Sequence, residues 1–150
     1  MPCDRGRIAA MLGAAVLPLI AGSAIAADLS GIWITEGAEA RIRIAPCGGG
    51  AYCGHIVGLR EPRHPVTGRP ATDEHNPDPR QRTRPLIGVR IVIGMKPNGK
   101  PASWSGHVYN AEDGHIYPAM LTMLTGKALR LEGCLLDGLL CQGQTWIRSQ

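Results

Sequence analysis

The chain has 150 residues, with 16 basic and 12 acidic side chains and a formal net charge of +4. This charge excess is mild, and the chain has only three Trp, three Tyr and no Phe, so the sequence does not indicate a nucleic-acid-binding surface. The length suits a single domain that can bury about two-thirds of its unfolded surface. We therefore expect one small domain with no nucleic-acid partner.

Residues 1–26 have the features of a secretory signal peptide. Two arginines precede an apolar run that ends in the small-x-small motif Ala24-Ile25-Ala26. An N-terminal membrane anchor is the alternative, but a proline and a glycine interrupt the run. No other apolar stretch approaches the roughly 20 residues of a membrane span. The sequence thus predicts a mature domain, residues 27–150, that is periplasmic or secreted and does not span a membrane.

The mature chain is predicted to consist of β-strands. Apolar residues recur with period two or in short runs, and Asn98-Gly99 and Asp113-Gly114 are typical of hairpin turns. Eight such strands predict an antiparallel up-and-down barrel, with a two-sheet sandwich as the alternative. The candidates, in chain order, are Gly31–Thr35, Glu39–Ala45, Tyr52–Leu59, Leu86–Met95, Ala102–Tyr109, His115–Leu124, Ala128–Cys134 and Gln142–Arg148.

Four cysteines remain after removal of the leader: Cys47, Cys53, Cys134 and Cys141. An even count in a small exported domain indicates two disulfides. The spacing is not C-x-x-C, which argues against redox catalysis. Zinc is a weaker alternative, because structural zinc sites favour closer cysteine spacing.

Several segments carry a family resemblance. Gly31-Ile32-Trp33 on the first strand resembles the lipocalin signature, in which the Trp packs under an Arg from the last strand; Arg148 is the matching residue here. The segments APCGGGAYCGHIVGLREP, DEHNPDPRQRTRPLIG, YNAEDGHIY and QTWIR resemble a family of small exported bacterial proteins, the domain of unknown function 2147 (DUF2147). The resemblance covers the mature chain and implies a lipocalin-like, or calycin-like, barrel that Trp33 and Arg148 close at one end. It implies no particular function.

The order of the connections in an up-and-down barrel predicts the disulfide pairing. Odd-numbered connections lie at one end of such a barrel and even-numbered ones at the other. Cys47 and Cys53 fall in the second connection, whereas Cys134 and Cys141 fall in the seventh, so the two groups cannot cross-link. We expect Cys47 to pair with Cys53 and Cys134 with Cys141, each pair closing its own hairpin.

The odd-numbered connections are predicted to surround the open end of the barrel. The long third connection, residues 60–85, shares this end with the seventh. One interpretation is an apolar lip at the mouth; the other is that these leucines pack under the long connection as a small satellite core. The leucines concerned are Leu135, Leu136, Leu139 and Leu140. Arg82 and Arg84 of the long connection could bind an anionic headgroup, or could pair with neighbouring acids and hold the connection in place.

These patterns favour a binding module for a small hydrophobic or amphipathic molecule, such as a fatty acid or lipid fragment, held in the barrel. Period two alone predicts the lining residues Ala40, Ile42, Ile44, Ile91, Ile93, Met120 and Leu129. One alternative is an envelope module that docks a protein partner through the leucine lip. Another is an enzyme acting on an envelope lipid or sugar, which would need two or more of Asp73, His75, Asp78 and His55 in one pocket. Because no motif of known catalytic mechanism is present, we expect no enzyme activity, no metal and no cofactor.

Overall fold

The computed structural model describes residues 27–135 and 140–150, so the predicted signal peptide and the lip residues Leu136 and Leu139 lie outside the described residues. Eight antiparallel strands form a closed barrel in which each strand pairs with the next and the last pairs with the first. The predicted barrel is therefore confirmed, and the sandwich alternative is excluded. The strands are β1 (Gly31–Ile34), β2 (Ala40–Gly48), β3 (Ala51–Leu59), β4 (Arg90–Pro97), β5 (Ser103–Asn110), β6 (His115–Thr125), β7 (Ala128–Leu135) and β8 (Leu140–Arg148).

Strand β4 begins four residues later than the sequence predicts. Residues 86–89 form a turn in which the Val89 amide donates to the Leu86 carbonyl, and Gly88 has a positive φ of 99°. Glycine tolerates this left-handed conformation at little cost. The apolar residues at the start of the predicted strand therefore end the long connection rather than extend the sheet.

The lower half of the barrel, toward the even-numbered connections, is filled by packed side chains. Trp33, Ile42, Val92, Leu121 and Leu129 are all fully buried there. Strand alternation directs every second side chain into the barrel, so apolar side chains from all strands pack together around the barrel axis. This half is a close-packed core.

Gly54 on β3 allows the strands of this core to approach closely. A Cβ atom at Gly54 would lie 2.9 Å from the Cβ of Val92 and 3.1 Å from Cγ2 of Ile42. Both distances are shorter than ordinary van der Waals contact. The absence of a side chain at this position is what makes room for Val92 and Ile42.

The two disulfides join the predicted partners. Cys47 pairs with Cys53 at the turn between β2 and β3, and Cys134 pairs with Cys141 at the turn between β7 and β8. They lie at opposite ends of the barrel, as the order of the connections predicts.

The long connection between β3 and β4 is anchored by one buried carboxylate. The side chain of Asp73 is completely buried, and it accepts hydrogen bonds from Tyr109, Asn76 and Arg84. Together these bonds attach the connection to the end of β5. Among residues 27–135 and 140–150, no helix is long and apolar enough to cross a membrane.

Candidate functional site

A cavity of about 940 Å³ occupies the upper half of the barrel and opens among the odd-numbered connections. Its size lies at the upper end of the roughly 300–1,000 Å³ typical of small-molecule sites. Among the described residues, it is lined by seven strands, β2 to β8, and by the first, third and fifth connections. The lining residues are Thr35, Glu36, Glu39, Ala40, Ile56, Leu59, Arg60, Glu61, Ala71, Leu86, Ile91, Val108, Tyr109, Asn110, Ala111, Glu112, Asp113, Tyr117, Leu131, Gly133, Leu135, Leu140, Gln142, Gly143, Gln144 and Trp146.

The deep part of the cavity is apolar. Ile56, Val108 and Leu131 form its walls, and the indole of Trp146, which is almost wholly buried, lies against the packed core. The Trp146 Nε1–H donates to Oε1 of Gln144 at 2.6 Å, so its polar atom is satisfied within the wall. This part can therefore receive an apolar group without leaving a donor unpaired.

Gly133 leaves part of this wall without a side chain. A Cβ atom at Gly133 would meet only Cγ2 of Val108, at 3.8 Å. This is ordinary contact, so larger side chains at this position would extend into open space. Gly133 is consequently a position where the cavity can be filled by substitution.

In the described part of the chain, the rim of the cavity carries five carboxylates: Glu36, Glu39, Glu61, Glu112 and Asp113. Arg60 is the single Lys or Arg among the described lining residues, and its guanidinium lies 2.7 Å from the Glu39 carboxylate. Both partners of this pair are more than half exposed, so solvent screens it strongly. The mouth is thus acidic although the whole chain is basic.

Asp113 is fixed at the rim by three donors. It accepts from the Tyr117 hydroxyl at 2.6 Å, from the Asn110 side-chain amide at 3.0 Å and from the His115 backbone N–H at 2.9 Å. Partial burial raises the pKa of Asp113, but the Tyr117, His115 and Asn110 hydrogen bonds outweigh it and hold the pKa below its usual range. The hydrogen bond to this carboxylate raises the pKa of Tyr117. Asp113 is therefore an ionised rim residue at neutral pH.

Tyr109 joins the cavity wall to the long connection. Its ring lines the cavity, while its hydroxyl donates to Oδ1 of Asp73 at 2.6 Å and accepts from Asn76 at 3.3 Å. Burial and the hydrogen bond to the Asp73 carboxylate raise the pKa of Tyr109 to about 12. Burial also raises the pKa of Asp73, but the bonds from Tyr109, Asn76 and Arg84 leave it below its usual range. Tyr109 thus couples the position of the long connection to that of the cavity wall.

The predicted lining residues divide into two groups. Ala40, Ile91, Leu135 and Leu140 line the cavity. Leu135 is 44% exposed and Leu140 is 54% exposed, so these two leucines border the mouth rather than form a covered satellite core.

The other predicted lining residues lie elsewhere. Ile42, Ile44 and Leu129 point into the barrel but belong to the packed core below the cavity. Ile93 is half-buried and packs against that core. Met120 lies between the buried inward residues Ala119 and Leu121, which places it on the outer face. Period two indicates which face a residue occupies, but not its depth along the barrel axis.

Arg82 and Arg84 do not line the cavity. Nε of Arg82 donates to the Asn76 carbonyl at 2.7 Å, and Arg84 makes two hydrogen bonds to Oδ2 of Asp73, at 3.0 and 2.8 Å. Of the two interpretations of these arginines, the structure shows the one in which they hold the long connection in place.

Several lining residues were missed by the analysis of the sequence, among them Glu61, Tyr117, Leu131, Gln144 and Trp146. The order of the connections contains the necessary signal. Each odd-numbered connection joins the end of one strand to the start of the next. The cavity must therefore be bordered by the ends of β1, β3, β5 and β7 and by the starts of β2, β4, β6 and β8. Inward positions within a few residues of those connections are therefore the candidates.

The four polar residues considered for catalysis do not meet in the cavity. Asp73 is buried against Arg84, Oδ1 of Asp78 accepts from the Arg80 backbone N–H, and neither lines it. His55 borders a separate, open depression together with Arg84 and Arg90, and His75 lines neither space. Within the described ranges, no group of three His, Cys, Asp or Glu side chains could hold a metal ion.

The fold and the cavity together define a small eight-stranded barrel of the lipocalin type. It is similar to the solved structure of protein HP1028 from the human pathogen Helicobacter pylori, which is described as belonging to the lipocalin family. The TM-score is 0.67, and the sequences are 23% identical over 82% of this chain and 84% of that one. The family model "Uncharacterized protein conserved in bacteria (DUF2147)" matches residues 31–148, and the chain belongs to this family. No curated protein matches the chain.

Proposed function

We propose that the protein is an exported binding module for a small hydrophobic or amphipathic molecule, which it holds in the upper half of the barrel. The observation that carries the proposal is the cavity of about 940 Å³ with apolar depth and a polar rim. Apolar surface removed from water contributes about 25 cal/mol per Å², so an acyl-like chain seated on Ile56, Val108 and Leu131 would supply most of the affinity.

Two further features support this proposal. The lower half of the barrel is packed and rigid, so the cavity wall stands on a fixed base. The Cys134–Cys141 disulfide closes the β7–β8 hairpin next to Leu135 and Leu140 at the mouth. The paired cysteines also support export, because disulfides persist mainly in oxidising compartments. The predicted signal peptide at residues 1–26 is part of the same proposal.

We further propose that the bound molecule is held and released without chemical change. None of the polar residues considered for catalysis lines the cavity. Docking of an envelope protein through Leu135 and Leu140 is the second candidate, because both side chains are exposed at the mouth. The two functions differ in one respect: a carrier needs the volume of the cavity, whereas a docking module needs only the exposed leucines.

Native mass spectrometry of the oxidised mature protein, purified from its own periplasm and followed by solvent extraction, tests the proposal. We expect a co-purifying hydrophobic compound that is lost in Gly133→Leu, which fills the cavity from a position with open space around it. Gly126→Leu is the matched control, because Gly126 lies in the β6–β7 turn with no atom near its Cβ position. A ligand-free mass that does not shift with any member of a panel of alkyl alcohols, acids and amines would refute the carrier function and favour docking.

A further inference from the structure

We infer that the cavity selects an amphiphile whose polar end is cationic, and that it discriminates against fatty acids and other carboxylates. This inference deepens the proposed binding function and rests on it. The site is the cavity itself; the charged groups at its rim determine which end group can remain at the mouth once the apolar part is buried.

The balance of charge at the rim carries the inference. Among the described residues, five carboxylates border the opening, and the single lining guanidinium, that of Arg60, already contacts Glu39 at 2.7 Å. Within the described residues, the carboxylates of Glu61 and Glu112 have no ion-pair or hydrogen-bond partner. They are available to a ligand, and their pairing with a cation would need no existing contact to break.

The two arginines that the sequence suggested for an anionic headgroup are held elsewhere. Arg84 is bound to the buried carboxylate of Asp73, and Arg82 donates to a backbone carbonyl. Removing Arg84 from Asp73 would leave a buried charge without its counterion, which is strongly unfavourable. Among the described lining residues, a carboxylate end group would therefore meet several negative charges and one cation, Arg60, that Glu39 already pairs, a repulsion that acts against the wrong ligand.

The aromatic ring of Tyr117 in the cavity wall would accommodate a cationic end group. The ring of Tyr117 lies in the wall next to Asp113, to which its hydroxyl donates. This bond uses the hydroxyl, and Tyr117 lies directly opposite the lining residue Val108 in the β5–β6 pairing. Ammonium groups are attracted to aromatic ring faces, particularly beside a carboxylate. An alkylammonium could thus interact with Asp113 and Tyr117 while its chain reaches Val108.

The test compares probes of equal chain length: dodecylammonium and dodecanoate below their micelle concentrations, and dodecanol below its solubility limit. Binding to the oxidised, delipidated mature protein is measured by calorimetry and by the change in tryptophan fluorescence, since Trp146 is the tryptophan that lines the cavity among the described residues. We expect dodecylammonium to bind about ten-fold more tightly than dodecanoate at neutral pH and low salt, with dodecanol between them. The preference should shrink as salt is raised from about 0.05 to 0.5 M, because the rim carboxylates are solvent-exposed.

Glu61→Gln/Glu112→Gln is the diagnostic variant, and we expect it to lose at least about half of the preference on the logarithmic scale of affinity. Glu74→Gln/Glu132→Gln has the same net charge but alters residues outside the cavity, and should retain the preference. Equal or tighter binding of dodecanoate, or an unchanged preference in Glu61→Gln/Glu112→Gln, would overturn the inference and leave the binding function standing. Failure of all three probes, dodecanol included, would refute the binding function itself.

Discussion

The guanidinium of Arg148 lies over the indole ring of Trp33, with its carbon 4.3 Å from the ring centroid. The two residues are also directly opposite each other in the β1–β8 pairing, which contains only one further residue pair. Arg148 additionally donates to the carbonyls of Asp28, Ser30 and Gly126. The shortest strand pairing of the barrel is thus reinforced by one side chain that contacts both the segment before β1 and the β6–β7 turn.

Replacement of Arg148 by lysine tests this reinforcement. A lysine keeps the charge but lacks the planar fork that binds several carbonyls while stacking on an indole. We expect Arg148→Lys to lower the free energy of unfolding by about 1–3 kcal/mol, measured by urea denaturation. Arg43→Lys, at an exposed position of β2, is the control and should change it by less than about 0.5 kcal/mol. Equal stability of both variants would contradict the role of Arg148.

The Tyr109 hydroxyl is expected to contribute to stability through Asp73. Tyr109→Phe removes a 2.6 Å hydrogen bond to a completely buried carboxylate, and we expect a loss of about 1.5–3 kcal/mol in the free energy of unfolding. Tyr117→Phe removes a hydrogen bond of the same length to the more exposed Asp113, and should lower the free energy of unfolding by clearly less, because solvent screens this bond. If the two variants lose the same amount, the burial of Asp73 is not what makes the first bond important.

The same tyrosine predicts a loss of stability in alkali. The pKa of Tyr109 is raised from 10.0 in its ordinary state to about 12 in the folded protein. Its contribution is therefore complete below pH 10 and is lost as the pH rises through the folded-state value. At about pH 11 the loss should amount to roughly 1.4 kcal/mol, and the difference between the native protein and Tyr109→Phe should shrink accordingly between about pH 8 and pH 11. A difference that does not depend on pH would show that the pKa is not raised.

A side chain at position 54 is expected to disturb the packed core. Gly54→Ala places a methyl group 2.9 Å from Val92 and 3.1 Å from Ile42, so we expect a destabilisation of about 1–3 kcal/mol. Gly126→Ala adds the same atom where nothing lies within 4 Å and should be close to neutral. Thermal and urea denaturation of the two variants would check the contrast, and a neutral Gly54→Ala would mean that the strands can separate at no cost.

The two disulfides are expected to differ in their effect on ligand binding. Replacement of either pair by serine should lower the free energy of unfolding by about 2 kcal/mol, because each closes a short loop. Only Cys134→Ser/Cys141→Ser should weaken binding, since that pair lies beside Leu135 and Leu140 at the mouth, whereas Cys47 and Cys53 lie at the opposite end. Binding assays with dodecanol on both variants, at a temperature where both are folded, would show this; equal weakening would argue against a structural role of the lip.

Much of the architecture follows from patterns that lie close together in the sequence. Alternation and turn residues predict eight strands, and the order of the connections then assigns each cysteine to an end of the barrel. That assignment was sufficient to pair Cys47 with Cys53 and Cys134 with Cys141. Strand alternation and hairpin turns are local properties of the sequence. In an up-and-down barrel each strand pairs with the next one along the chain, so the pairing of the strands needs no knowledge of contacts between distant residues.

The site depended on the tertiary structure, for two physical reasons. The depth of an inward residue is set by strand register and tilt, which is why Ile42 lies in the packed core although its face was predicted correctly. The charge at the mouth is set by pairings between residues distant in sequence. Arg84 is bound to Asp73, and Asp73 to Tyr109, 36 positions away on β5. The sequence by itself thus determined a closed barrel with a disulfide at each end. Only the folded chain decided that its mouth is acidic, because closure of the barrel brings the rim carboxylates together while Asp73 binds Arg84 away from the cavity.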